Sequence, residues 1–119
     1  MRPKLSKEDL SEALGRALSH RGKGYDFDAD FETTDRLVCT ELIFRAYDDI
    51  LQIPDMRIIM GKPRISANDY VRIWADGRES DDPQLEFVRF LDSDEPNGVA
   101  VEANAEALVE TLERSRFTL

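Results

Sequence analysis

The sequence is poor in the residues that build disulfides and metal sites. Among 119 residues there is one cysteine, Cys39, and one histidine, His20. A single cysteine excludes a disulfide within the chain and a thiol-rich metal cage, and a single histidine excludes the zinc motifs that need two. We therefore expect neither a metal nor a cofactor. Most lone cysteines are small buried hydrophobic residues, so a chemical role for Cys39 depends on its neighbours.

Long apolar runs and clusters of basic residues are also missing. Every apolar stretch is interrupted by Arg, Asp or Glu, so the sequence predicts no membrane span. The net charge is −9, from 25 acidic and 16 basic residues, whereas phosphate backbones bind through clustered Lys and Arg. We therefore expect no nucleic acid as a partner. No apolar signal segment follows Met1, which favours the cytoplasm without fixing the compartment.

The patterning of the chain predicts one α+β domain over residues 1–119. Ser6 and Asp9 form a capping box that begins a helix with a half-buried apolar stripe, and Ser66 and Asp69 form a second box. The other predicted elements are a helix ending near Leu51, strands at 57–60, 85–91 and 99–101, and a last helix capped by Asn104.

Residues 25–31 alternate between apolar and acidic side chains. This period predicts an extended segment in which Tyr25, Phe27 and Phe31 are core anchors and the three aspartates between them are solvated. The aspartates match the first ligand positions of an EF-hand calcium loop. However, Phe31 stands where that loop needs Gly, and Leu37 where it needs Glu. A solvated acidic face is the better interpretation.

Cys39 stands at the beginning of a predicted helix, on the same face as Leu42, Ile43 and Ala46. We expect the thiol in the first turn, on the buried side of the helix. The first N–H groups of a helix have no partners within the helix and carry the positive end of its dipole. A thiolate is stabilised there, and the same groups help to bind the oxyanion of a tetrahedral intermediate. The position therefore favours a nucleophile.

Two segments around this cysteine carry a resemblance to a known family. They are GYDFD at positions 24–28 and LVCTELIFRAY at positions 37–47. A Tyr-Asp segment, then Cys-Thr-Glu-Leu, an apolar pair and a closing Ala-Tyr resemble the YiiX-like permuted papain-fold (NlpC-type) cysteine hydrolases. The likeness is specific between Gly24 and Tyr47.

The resemblance implies an α+β, permuted papain-like half-domain, with the nucleophile helix packed on a small antiparallel sheet. It implies that Cys39 cleaves or transfers an acyl group from an amide or ester through a thioester. It also implies that Glu41 is a structural hydrogen-bond acceptor and that Tyr25 lines or braces the site. The implied substrate is an acyl-containing small molecule, peptide or lipid.

The sequence departs from that family in its histidine. In the family the catalytic histidine precedes the cysteine, on a strand of the N-terminal half, and that half has no counterpart here. His20 ends a helix instead, so we predict that it pairs with the helix dipole at the surface, out of hydrogen-bond reach of Cys39 Sγ.

Without that histidine, we expect little turnover from this chain alone. It would then be a fragment, the product of a truncated gene, or a subunit completed by a partner. The alternative is a non-catalytic binding or assembly module that keeps the fold without the Cys-His dyad. An uncovered apolar surface on strands 85–91 and 99–101 further predicts a homo-oligomer.

Overall fold

A computed structural model of the chain describes residues 1–114. Within them, the helices are α1 (Lys7–Ser19), α2 (Cys39–Tyr47), α3 (Ala67–Gly77) and α4 (Ala105–Glu110). The strands are β1 (Arg2–Pro3), β2 (Gly24–Tyr25), β3 (Arg36–Leu37), β4 (Arg57–Ile59), β5 (Lys62–Arg64), β6 (Leu85–Glu86), β7 (Phe90–Asp94) and β8 (Val99–Ala103). The predicted α+β class is confirmed. None of the helices in residues 1–114 has the length and apolar composition needed to span a membrane.

The strands pair two by two instead of joining into one sheet. The β1–β6, β4–β5 and β7–β8 ladders are antiparallel, and the β2–β3 ladder is parallel. Helix α2 packs mainly against α1. The prediction of this helix on a small antiparallel sheet is therefore wrong, because its neighbouring strands are only two residues long and cannot cover a helix face.

The chain divides into two compact units. One is Leu5–Asp69, which contains α1, α2 and β2 to β5; the other is Met1–Lys4 together with the chain from Tyr70 onward. The expectation of one domain over residues 1–119 stays a prediction.

The core of the unit Leu5–Asp69 takes buried side chains from α1, α2 and the segments between its helices and strands. Its buried apolar side chains are Ala13, Phe31, Leu37, Val38, Ala46 and Ile65. Small Ala side chains on both helices let the two backbones approach closely. The predicted apolar stripe of α1 is only partly correct, because Leu10, Leu14 and Leu18 are 39%, 55% and 67% exposed.

The acidic segment turns back on itself, so the predicted exposure is reversed for Tyr25, Asp26 and Phe27 but not for Asp28 or Phe31. Asp26 is buried; its Oδ1 accepts from Asp28 N at 2.9 Å and its Oδ2 from Asp30 N at 2.6 Å. Phe27 is 88% exposed and Tyr25 is exposed, whereas Phe31 is buried as predicted. A short Asp side chain that binds nearby backbone N–H groups favours a turn over a strand, and this local competition overrides the period-two pattern.

The hairpin β4–β5 and the start of α3 are joined by one buried carboxylate. Asp69 Oδ2 accepts from both Ser66 N, at 2.7 Å, and Ser66 Oγ, at 2.6 Å. Its Oδ1 lies 2.6 Å from Arg57 Nη2 on β4. Burial raises the pKa of Asp69, but the Ser66 hydrogen bonds and Arg57 outweigh that effect and hold it below 3.8.

The unit that includes the chain from Tyr70 onward buries Trp74. The ring lies 5.8 Å from Phe87, and the Arg78 guanidinium stands 5.3 Å from the Trp74 ring centre. Asn104 caps α4 by accepting from Ala107 N at 2.9 Å, which confirms the predicted cap. The predicted strand 85–91 is instead two strands, β6 and β7, and β7 extends to Asp94.

Candidate functional site: a thiol beside a cation-lined cavity

Cys39 is the first residue of α2, as predicted. The helix begins after Val38, which has extended backbone angles and offers no side-chain cap, and Leu42 N donates to Val38 O at 3.0 Å. The thiol is exposed, so its predicted place on the buried face is wrong. Leu37, Val38 and Ala46 already fill the buried side, which leaves the sulfur accessible to reagents.

Cys39 lines an open cavity of about 340 Å³ between the end of α1, β2 and the start of α2. Ala17, Leu37, Val38 and Leu42 form its apolar wall. His20, Arg21 and Lys23 also line it, as does Tyr25. A volume of this size fits a small organic molecule.

The parallel pairing of β2 with β3 brings these residues together. Gly24 pairs with Arg36 and Tyr25 with Leu37, two positions before Cys39. Tyr25 therefore stands beside the start of α2. Its ring centre lies 5.0 Å from that of Phe27, in an edge-to-face arrangement. The turn from α1 into β2 passes through Gly22, whose φ of 86° favours glycine.

His20 shares this cavity but forms its hydrogen bond with Lys23, not with Cys39. Its Nδ1 lies 3.0 Å from Lys23 Nζ. An ammonium group can only donate, so Nδ1 must accept and the ring proton sits on Nε2. Burial lowers the pKa of His20 below 6.5, and Lys23 and Arg45 lower it further against an opposing effect of Glu41. The imidazole is therefore neutral at pH 7 and offers an N–H donor.

Glu41 holds the loop before α2 and does not line the cavity. Its side chain is fully buried; Oε1 lies 2.8 Å from Arg45 Nε and 2.6 Å from Arg45 Nη2. Arg45 Nη2 also donates to Phe31 O at 2.9 Å and Thr33 O at 3.1 Å. This geometry agrees with a structural acceptor. Glu41 Oε2 has no hydrogen-bond partner among the described residues.

Sequence reasoning missed Arg21 and Lys23 as lining residues and did not expect His20 on the cavity. All three lie within four positions at the end of α1, where a helix dipole accounts for basic residues without a site. Only the parallel β2–β3 pairing shows that this segment returns beside Cys39. Local patterning gives no signal of that pairing.

The described residues provide no metal centre. Within residues 1–114, no group of three or more His, Cys, Asp or Glu side chains is arranged to hold a metal ion. Both oxygens of Asp26 accept backbone N–H groups, and Asp30 pairs with Lys62 at 2.8 Å, which lowers the Asp30 pKa. These contacts give the acidic segment a structural role.

Together, the fold and the site define an α+β protein with an accessible thiol at a helix start, beside a small cavity with basic lining residues. Comparison with known proteins gave no match: neither a protein-family model nor a curated protein or solved structure resembles this chain significantly. The resemblance to permuted papain-like hydrolases stays a prediction, and the functional argument rests on the geometry.

Proposed function

We propose that this protein is a thiol hydrolase or acyltransferase in which Cys39 accepts an acyl group from an amide or ester. The supporting observation is the accessible thiol at the first residue of a nine-residue helix, beside a cavity of about 340 Å³. Backbone N–H groups of a first helical turn suit the oxyanion that forms during such a transfer.

The proposed reaction has two covalent steps. Cys39 loses its proton to solvent, and the sulfur electron pair forms an S–C bond with the carbonyl carbon while the π pair moves to oxygen. Collapse of this intermediate breaks the C–O or C–N bond, and the leaving group departs with that pair and takes a proton from water. Water, or another nucleophile, then attacks the thioester, releases the acyl group and restores the thiol.

His20 acts in this proposal as a hydrogen-bond donor and not as the base. Its Nδ1 accepts from Lys23, so the lone pair that a base needs is already engaged. Without a base for the attacking water, the second step is slow. The chain alone then forms a thioester with little turnover.

The test is acylation by p-nitrophenyl acetate. We expect a burst of about one nitrophenolate per chain followed by slow release, and one acetyl group on Cys39 by mass spectrometry. Cys39→Ser should abolish the burst. His20→Ala should change its rate by less than about threefold, whereas loss of a general base costs about 10²–10⁴-fold.

Either of two results would contradict this proposal. A chain that folds but forms no acetyl-Cys39 is not an acyl acceptor. A loss of 100-fold or more in His20→Ala, with the fold intact by circular dichroism, would make His20 the base and restore a Cys-His dyad.

The second candidate function is a non-catalytic binding or assembly module. One observation favours it: Leu10, Leu14 and Leu18 form an exposed row along α1. In that case Cys39 needs no reactivity, and the chain acts by presenting this row to a partner.

A further inference from the structure

We propose that the cavity beside Cys39 selects anionic substrates: small acyl compounds that carry a carboxylate or phosphate next to a short apolar group. The acyl part of this statement rests on the proposed function. The preference for an anion rests on the charges around the cavity and can be tested separately.

The cavity wall reverses the charge balance of the chain. The protein has 25 acidic residues against 16 basic ones. Among residues 1–114, however, Arg21 and Lys23 line this cavity and no Asp or Glu does. His20, next to Arg21 in the sequence, also lines the cavity and adds a neutral hydrogen-bond donor, its Nε2–H. Such a wall attracts an anion and repels a cation.

The two cations are also not neutralised within the described residues. Arg16, Arg45 and Lys62 each pair with a carboxylate at 2.6–2.8 Å, whereas neither Arg21 nor Lys23 has a salt bridge. Among the described residues, the side-chain hydrogen bond of Lys23 is with the neutral ring of His20. Their charge therefore remains available to a bound anion.

The rest of the wall limits the size and polarity of the ligand. Ala17, Leu37, Val38 and Leu42 offer an apolar surface, and about 340 Å³ accommodates a small molecule. An anion with a short apolar group would contact both kinds of surface. Because Cys39 lines the same cavity, the reacting carbonyl would lie close to the anionic group.

The test compares two alkylating reagents of nearly the same shape, iodoacetate and iodoacetamide. Each reacts in the same way: the Cys39 thiolate forms an S–C bond, and iodide leaves with the electron pair of the C–I bond. Since Cys39 is the one thiol of the chain, its loss gives both rate constants directly. Their ratio cancels the intrinsic reactivity of the thiol and retains the effect of the reagent's charge.

We expect the iodoacetate-to-iodoacetamide rate ratio to be about three- to tenfold higher in the folded chain than in the urea-unfolded chain. Lys23→Gln and Arg21→Gln should each lower it about twofold, and added salt should lower it in the native chain. Lys7→Gln is the matched control. It removes the same charge from the other end of α1, about 20 Å away along the helix, and should leave the ratio unchanged.

Two outcomes would overturn the inference: an equal ratio in the folded and unfolded chains, or equal effects of Lys7→Gln and Lys23→Gln. Circular dichroism confirms that the variants fold, and two separate cavity variants guard against the failure of one. A high ratio without an acetylation burst would reject the acyl chemistry and keep the anion preference. A burst without a charge effect on alkylation would keep the acyl chemistry and reject the anion preference.

Discussion

Glu41 and Glu12 form two ion pairs with the same helical spacing and very different surroundings. Glu41 pairs with Arg45 and Glu12 with Arg16, both at i,i+4 and both at 2.6 Å. The Glu41 side chain is 0% exposed and that of Glu12 is 56% exposed. Removing one partner from a buried pair leaves an uncompensated charge, whereas an exposed pair is replaced by water.

We therefore predict that Glu41→Gln lowers the free energy of unfolding by about 2–4 kcal/mol. Glu12→Gln, the matched control, should cost less than about 0.5 kcal/mol. Urea denaturation followed by circular dichroism measures both. Similar costs for the two variants would mean that the buried pair does not hold the segment at Phe31 and Thr33, and would contradict the structural role of Glu41.

Single residues were predictable where the signal is local. Cys39 at a helix start and Ser6 and Asn104 as caps all follow from neighbouring residues. Exposure was not predictable in the same way. The face of α2 that is covered depends on its packing against α1, and the two helices lie 20 or more positions apart in the sequence.

Two capping boxes of the same design begin helices α1 and α3. Ser6 Oγ donates to Asp9 Oδ2 at 2.8 Å at the surface, and Ser66 Oγ donates to Asp69 Oδ2 at 2.6 Å in a buried setting. Only Asp69 also binds an arginine, Arg57. The second box therefore fixes the hairpin β4–β5 to the start of α3, whereas the first caps its own helix alone.

The lowered pKa of Asp69 makes this contact dependent on pH. A carboxyl group with a folded pKa below its unfolded value adds stability above about pH 4, and that stability is lost as the pH falls through the folded pKa. We predict that Asp69→Asn costs about 1–3 kcal/mol at pH 7 and clearly less at pH 3. The control, Asp9→Asn, should cost under about 0.5 kcal/mol at pH 7.

Urea denaturation at both pH values tests this prediction. The lowered pKa values of Asp30 and Asp92 reduce the stability of every variant in acid, so the comparison is between variant and parent at each pH. An equal cost of Asp69→Asn at pH 7 and pH 3 would show that the charge of Asp69 contributes nothing.

Elements were predicted better than their pairing. All four helices were expected. The strand predicted at 57–60 ends at Ile59, and the chain turns back through Met60 and Gly61 into β5, which was not predicted. Met60 and Gly61 have φ of 54° and 79°, as a two-residue turn with both central residues left-handed requires. Methionine carries no sequence signal for that conformation, so the hairpin was missed.

At the scale of the whole molecule, the exposed apolar surface decides between a monomer and an oligomer. The sequence predicted such a surface on strands 85–91 and 99–101. There, however, three of the four large exposed apolar residues lie opposite a carboxylate: Leu91 opposite Glu102, Val99 opposite Asp94 and Val101 opposite Asp92. The fourth, Val88, lies between β6 and β7. The exposed residues Leu10, Leu14 and Leu18 instead follow each other along α1, with Ser11 and Gly15 between them in sequence.

We predict that the chain self-associates weakly through this row on α1, with a dissociation constant on the order of 100 µM, because three leucines bury a small apolar area. The net charge of −9 opposes association at low salt, so added salt should strengthen it. Sedimentation equilibrium over a concentration series is the measurement.

Two variants distinguish the row on α1 from the strand surface. Leu14→Glu should give a monomer throughout, since it places a charge in the middle of the row. Val101→Glu adds the same charge to a strand that already faces acids, so it should leave the association unchanged. If Val101→Glu disrupts the oligomer and Leu14→Glu does not, the surface predicted on strands 85–91 and 99–101 is the interface. A parent chain that stays monomeric at every protein and salt concentration would contradict self-association through α1.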